Sequence, residues 1–101
     1  MEVMSKIERH ADICQQLNKV YEIKNHDYGD SFGKTFQEEG FAMARIRLSD
    51  KLNRFKNLSR GTQAQVNDES IRDTLLDLAN YAIMTVIEMD IAEENANGSQ
   101  S

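Results

Sequence analysis

The sequence predicts an all-α fold on three observations. Proline is absent, helix-favouring Ala, Leu, Glu, Lys and Met fill long stretches, and apolar residues recur every three or four positions through three of them. A chain of 101 residues is expected to form one domain, with a core small for its surface. Self-association to a dimer or tetramer is then an ordinary way to bury more. The single cysteine, Cys14, allows no intrachain disulfide and no cysteine zinc site, which fits a reducing cytosol. No apolar run approaches the roughly 20 residues that span a membrane, and MEVMSKIERHAD has no signal-peptide core, so no membrane partner is expected. A net charge of −5 opposes binding to duplex nucleic acid but allows a small charged ligand bridged by a metal ion.

The first helix is expected from about Val3 to Lys24, because Val3, Ile7, Ala11, Cys14, Leu17 and Tyr21 recur at helical spacing. Glu8, His10 and Asp12 read as solvated surface. Next, KNHDYGDSFGK is expected to be a loop, since Gly29 and Gly33 punctuate a run of turn-forming Asn, Asp and Ser. Its contents suit the wall of a base or sugar pocket: Tyr28 and Phe32 offer flat faces, Asn25, Asp27, Ser31 and Asp30 hydrogen-bonding groups, and Lys24 and Lys34 charge. The alternative is a connector whose aromatics plug a bundle end. His26-Asp27 is not a metal phosphohydrolase signature, because His10 is the only other histidine.

Thr35-Phe36-Gln37-Glu38 has the form of a capping box and predicts a second helix from Phe36 to about Ser59, ended by Gly61. Phe41, Leu48, Leu52 and Phe55 form its stripe, with Arg45 in the same row, where a buried cation needs a carboxylate. Glu39, Met43, Ile46 and Asp50 lie on a second face. Arg47, Asp50, Lys51 and Arg54 cluster three cations around one carboxylate. They form either a surface ion-pair network or a site in which Asp50 holds a metal and the cations hold phosphates.

A third helix is predicted from Asp68 to about Glu93. Glu69, Asp73, Asp77 and Asn80 line one face, and Ile71, Leu75, Leu78, Ala82, Val86 and Met89 form the stripe expected to pack. Asp68 and Glu69 favour the helix start, whereas Asp73 and Asp77 lie too far inside to act as caps. They form either a solvated acidic stripe or, as their apolar continuation at Met84, Ile87 and Ile91 suggests, a partly enclosed row that calls for cations or a metal. Carboxylates from two helices suit Mg²⁺, completed by the phosphates of a nucleotide. The expected ligand set is Asp50, Asp73 and Asp77 assisted by Glu39 or Glu69, with Lys51, Arg54, Lys34 and Arg47 for phosphates, and Asn80 joining the base or sugar contacts or only orienting its neighbours. No P-loop and no nucleophile triad is present. The tail 95–101 is expected to be disordered.

Three ordered blocks, Lys24-Asn25-x-Asp27-Tyr28-Gly29-x-Ser31, then Arg45 with Asp50-Lys51-x-x-Arg54, then Asp73-Thr-Leu-Leu-Asp77-Leu-Ala-Asn80-Tyr81, resemble the nucleotide modification associated domain 1 family of bacteriophages and bacteria. More distantly, the acidic helices resemble the MazG-like all-α nucleoside triphosphate pyrophosphohydrolases. That likeness implies a helical bundle completed by self-association, Mg²⁺, a cytosolic setting and cleavage of a nucleotide to its monophosphate and pyrophosphate. The MazG-like motifs are Glu-x-x-Glu and Glu-x-x-Asp; this chain has Glu38, Glu39 and Asp50, and Asp73-x-x-x-Asp77, in their places. The other readings are a noncatalytic nucleotide binder and a structural or partner-binding helical oligomer.

Overall fold

A computed structural model describes residues 3–61 and 68–98. Among these the protein is all-α, with α1 (Lys6–Tyr28), α2 (Ser31–Glu39), α3 (Phe41–Arg60) and α4 (Asp68–Gly98). The chain divides into two compact units, Met1–Ser31 and Phe32–Ser101. No helix among the described residues is long and apolar enough to cross a membrane.

The first unit is essentially α1. It starts later than the apolar periodicity suggested, because Ser5 caps it: the Glu8 amide donates to Ser5 Oγ at 3.1 Å and the Ser5 hydroxyl donates to the Glu8 carboxylate at 3.2 Å. Ser5 thus caps the helix through its hydroxyl, with the Glu8 carboxylate bonded to that hydroxyl. The helix also runs four residues further than expected, through Lys24-Asn25-His26-Asp27-Tyr28, which correct the expected loop to a helical turn. Its end is made by Gly29 at φ 60°, ψ 39°, which turns its amide, and that of Asp30, back to the Asn25 carbonyl. This left-handed glycine cap satisfies the last carbonyls of the helix.

The second unit carries a helix that the sequence pattern did not separate. Thr35 and Glu38 lie inside α2 and do not start a helix; the break falls at Gly40, between Glu39 and Phe41. Gly40 sits at φ 64°, ψ −145°, a region that side chains exclude, and its amide donates to the Phe36 carbonyl at 2.7 Å. The apolar rows continue through this corner, so periodicity alone reads α2 and α3 as one element. Aromatic packing then holds the corner. Phe32, buried, lies 5.9 Å from Tyr81 of α4 and 6.5 Å from Phe36, and Phe36 meets Phe41 edge to face at 5.6 Å. Such pairs add about 0.5–1.5 kcal/mol each beyond the area they bury.

Helices α3 and α4 pack against one another. Lys51 meets Asp77 and Arg54 meets Thr74, so rising numbers on α3 pair with falling numbers on α4 and the two run antiparallel. Met43 and Ala44 are the buried apolar residues of α3. Arg45 is exposed, so it needs no buried carboxylate. The face that α4 turns inward is not the expected stripe: its buried residues are Thr74 and Glu88, while Leu75, Val86 and Met89 of that stripe are 40%, 53% and 46% exposed. The helix extends to Gly98, which corrects the expected disorder of residues 95–98; residues 99–101 and the polar connection at 62–67 lie outside the described residues.

Replacing Gly40 by alanine leaves the added methyl in open space, so its cost is purely that of the backbone conformation. Gly40→Ala is expected to destabilise the protein by about 1–3 kcal/mol in thermal unfolding followed by circular dichroism. An unchanged melting temperature would contradict this origin of the corner.

Candidate functional site

Polar residues of α3 and α4 meet along the seam of the antiparallel pair. Lys51 Nζ lies 3.1 Å from an Asp77 carboxylate oxygen, with side chains 29% and 32% exposed. One turn along, Arg54 Nε donates to Thr74 Oγ1 at 3.3 Å. Thr74, itself buried, donates its hydroxyl proton to the Ser70 carbonyl at 2.8 Å, which aims the oxygen lone pairs at Arg54. Spacing on α3 places Lys51 and Arg54 three residues apart, on one face, which is why both reach α4.

The register carries other candidates to this seam. Asp50 and Arg47 flank Lys51 on α3, both exposed, and Asp73 precedes Asp77 by one turn on α4, also exposed. Helical periodicity taken from the two cross-helix pairs places Asp50, Arg54 and Asp73 on the same side of the hairpin. Asn80, half-buried, continues the row of Asp73 and Asp77, and Glu69 opens α4 in an exposed position. Among the described residues no three His, Cys, Asp or Glu side chains draw together into a group able to hold a metal ion. The seam of one chain therefore offers Asp77 joined to Lys51, with Asp73 one turn earlier on α4 and Asp50 next to Lys51 in the α3 sequence.

The remaining candidates are distributed elsewhere. Glu39 ends α2, exposed, and Lys34 is exposed in the middle of α2. Phe32 lies in α2 and belongs to the core, its ring packed against Phe36 and Tyr81. In the other unit, Asn25 is half-buried and its carbonyl accepts the two amides that end α1. Asp27 lies 3.7 Å from His26 Nδ1, and Tyr28 is 70% exposed at the last position of α1. Ser31 is the exposed first residue of α2.

Two residues were missed. Thr74 supplies the acceptor for Arg54, and Glu88 is a buried carboxylate on the same inward row. The signal was available in the spacing Ser70, Thr74, Asp77, Tyr81, Met84, Glu88, a continuous three-and-four pattern of mostly polar residues. Its low hydrophobicity hid it behind the more apolar stripe.

With this arrangement in view, comparison with known proteins is decisive for the family. The sequence profile of the nucleotide modification associated domain 1 matches residues 24–89, from the last turn of α1 through most of α4. The chain belongs to the nucleotide modification associated domain 1 family. Both halves of the Lys51, Arg54, Thr74 and Asp77 seam fall inside the matched span of the nucleotide modification associated domain 1. No curated protein and no solved structure matches the chain.

Because the Lys51–Asp77 pair is open to solvent, its worth to stability is small. A double-mutant cycle on Lys51→Ala and Asp77→Ala, read by chemical denaturation, is expected to give a coupling below about 1 kcal/mol. A coupling of several kcal/mol would mean that the pair is a structural strut and not an exchangeable contact.

Proposed function

We propose that the protein is a nucleotide-handling protein whose α3–α4 seam receives the phosphates of a Mg²⁺-bound nucleoside triphosphate. The observation that carries this is the pairing of Lys51 with Asp77 at 3.1 Å, one turn from Arg54 on Thr74. Two cations of different chemistry are thereby kept at one place, Lys51 by a partly exposed carboxylate and Arg54 by the buried Thr74 hydroxyl. A phosphate competes well with both: arginine offers a planar fork and lysine a point charge, and charge-assisted bonds to phosphate are stronger than the hydroxyl contact they replace. Membership of a family described by its association with nucleotide modification supports the same class of ligand.

Movement of Lys51 from Asp77 to a phosphate would exchange that ion pair for a phosphate contact, with Asp77 one turn from Asp73 on α4. Those two, with Asp50 on the facing helix, are oxygen donors of the kind Mg²⁺ takes, and Mg²⁺ commonly uses one or two carboxylates together with waters and substrate phosphates. Bound there, the ion would bridge phosphate oxygens and orient water toward phosphorus. Arg47 and Arg54 would offset charge on the phosphates, and Asn80 would hold the adjoining carboxylate row in place. The reaction this arrangement would serve is hydrolysis to the monophosphate and pyrophosphate, as in the MazG-like enzymes that the acidic helices resemble. Capture of a nucleotide without turnover is the second reading, favoured by the engagement of Asp77 with Lys51, which leaves Asp73 and Asp50 as the exposed carboxylates beside it. An exposed free thiol at Cys14 fits the reducing cytosol of a bacterium or phage-infected host as the setting.

Thermal shift with each common nucleoside triphosphate, with and without Mg²⁺, tests the binding step. At a ligand concentration one hundred times its dissociation constant, stabilisation of about 2.7 kcal/mol is expected, and the pair of changes Lys51→Ala and Arg54→Ala is expected to remove it. Mg²⁺-dependent pyrophosphate release that Asp77→Asn abolishes would establish hydrolysis. A melting-temperature rise with no pyrophosphate would select capture without turnover, and no rise with any nucleotide would contradict both.

A further inference from the structure

Charge is divided unevenly between the paired helices. Helix α3 carries six Lys and Arg and one carboxylate, whereas α4 carries one Arg and eight carboxylates, so an acidic chain presents one strongly basic helix. Lys51 and Arg54 mark the side of α3 that faces α4, and buried Met43 and Ala44 lie on that side too. Helical periodicity then carries Arg45, Ser49, Asn53, Lys56 and Arg60, at spacings of four, four, three and four, to the opposite side. All five are exposed. Among the described residues none of these three cations meets a carboxylate, and Asp50 lies off their row. Phe41 opens the row one turn before Arg45. It is 54% exposed and meets Phe36 edge to face, which leaves ring surface for a flat ligand group.

We propose that this outward face of α3 binds single-stranded nucleic acid, its cations on successive backbone phosphates and Phe41 against a base. Three features select that occupant. The row runs straight along the helix for about 22 Å from Arg45 to Arg60, a track for several consecutive nucleotides. Its chemistry is also mixed: arginine forks and a lysine suit phosphate oxygens, Ser49 and Asn53 can bond phosphate or sugar, and an aromatic face accepts any base. An acidic peptide would use the cations but not the ring. Finally, the face is shielded from the carboxylates of α4. The thickness of α3, about 10 Å, exceeds the Debye length of about 8 Å at physiological salt. A narrow strand can therefore lie on α3 alone, whereas the broader phosphate surface of a duplex would meet the repulsion of the net charge of −5.

Fluorescence anisotropy of a labelled DNA strand of about twelve nucleotides, titrated with the full chain at roughly 50 mM salt, tests this. Saturable binding is expected, weakening with salt at a log–log slope of about −2, as three phosphate contacts on a single strand require. The combined change Arg45→Glu, Lys56→Glu and Arg60→Glu is expected to abolish binding with helical circular dichroism retained. Should that variant fail to fold, the three single changes to Gln decide in its place, each expected to weaken binding by about threefold. Phe41→Leu keeps an apolar contact for Phe36 and is expected to weaken binding by at least about fivefold; unchanged affinity would overturn the stacking contact. Lys51→Ala with Arg54→Ala, which disables the seam, is expected to leave strand binding within about threefold, so this face and the proposed nucleotide site stand or fall separately. Four results would overturn the proposal: no saturable binding up to roughly 100 µM protein, binding that survives the charge reversals, a duplex of the same sequence bound as tightly, or equal displacement by polyglutamate. The last would assign the face to an acidic polypeptide.

Discussion

The second unit depends on α3 lying antiparallel to α4 across a polar seam. Thr74 is the pivot of that contact: buried, bonded to the Ser70 carbonyl and accepting from Arg54, it fixes the rotation of α4 about its own axis. A helix is free to turn whichever face is best satisfied toward its neighbour, and a hydrophobic stripe ordinarily decides the matter. Here the buried positions of α4 are Thr74 and Glu88, with Tyr81 stacked on Phe32, and Leu75, Val86 and Met89 of the apolar stripe lie partly exposed. Once that rotation is set, the placement of Asp73, Asp77 and Asn80 beside Asp50, Lys51 and Arg54 follows from helical geometry alone.

Gly40 supplies the second constraint. By permitting a backbone conformation closed to other residues, it lets the chain double back between α2 and α3, and Phe32 reaches Tyr81 as a result. The aromatic cluster closes one end of the hairpin while the cations sit further along α3. The bundle end draws on α2, α3 and α4 and the candidate site on other residues of α3 and α4, which allows the site to be altered without dismantling the packing. A polar seam also has a functional sense: partly solvated ion pairs contribute little to stability and exchange readily.

The all-α class was legible because nothing in the sequence opposes helix: no proline, and three long runs of helical period. The end of α3 at Gly61 and the start of α4 at Asp68 were equally plain. Other boundaries were not, each for a local physical reason. Turn-forming Asn25 and Asp27 were absorbed into the last turn of α1, whose carbonyls Gly29 closes. Thr35 and Glu38 had a capping pattern but lie mid-helix, and the side-chain cap is Ser5 at the start of α1. At Gly40 the apolar rows continue on both sides of the break, so period carried no mark of it. Of the site, Asp50, Lys51, Arg54, Asp73 and Asp77 could be read as residues that share helix faces, but which faces meet is a property of packing. The inward row of α4 was the least legible feature, because hydrophobicity points to the opposite side.

The central claim is that the Lys51, Arg54, Thr74 and Asp77 seam is a phosphate-binding surface whose internal pairs are exchangeable. Titration of Mg²⁺ and a nucleoside triphosphate into ¹⁵N-labelled protein, followed by amide chemical shifts, tests it most directly. The account predicts saturable shifts concentrated at residues 47–54 and 73–80, with the Phe32, Phe36 and Phe41 amides nearly unmoved. Saturable shifts confined to other segments, or none with any common nucleotide, would contradict it.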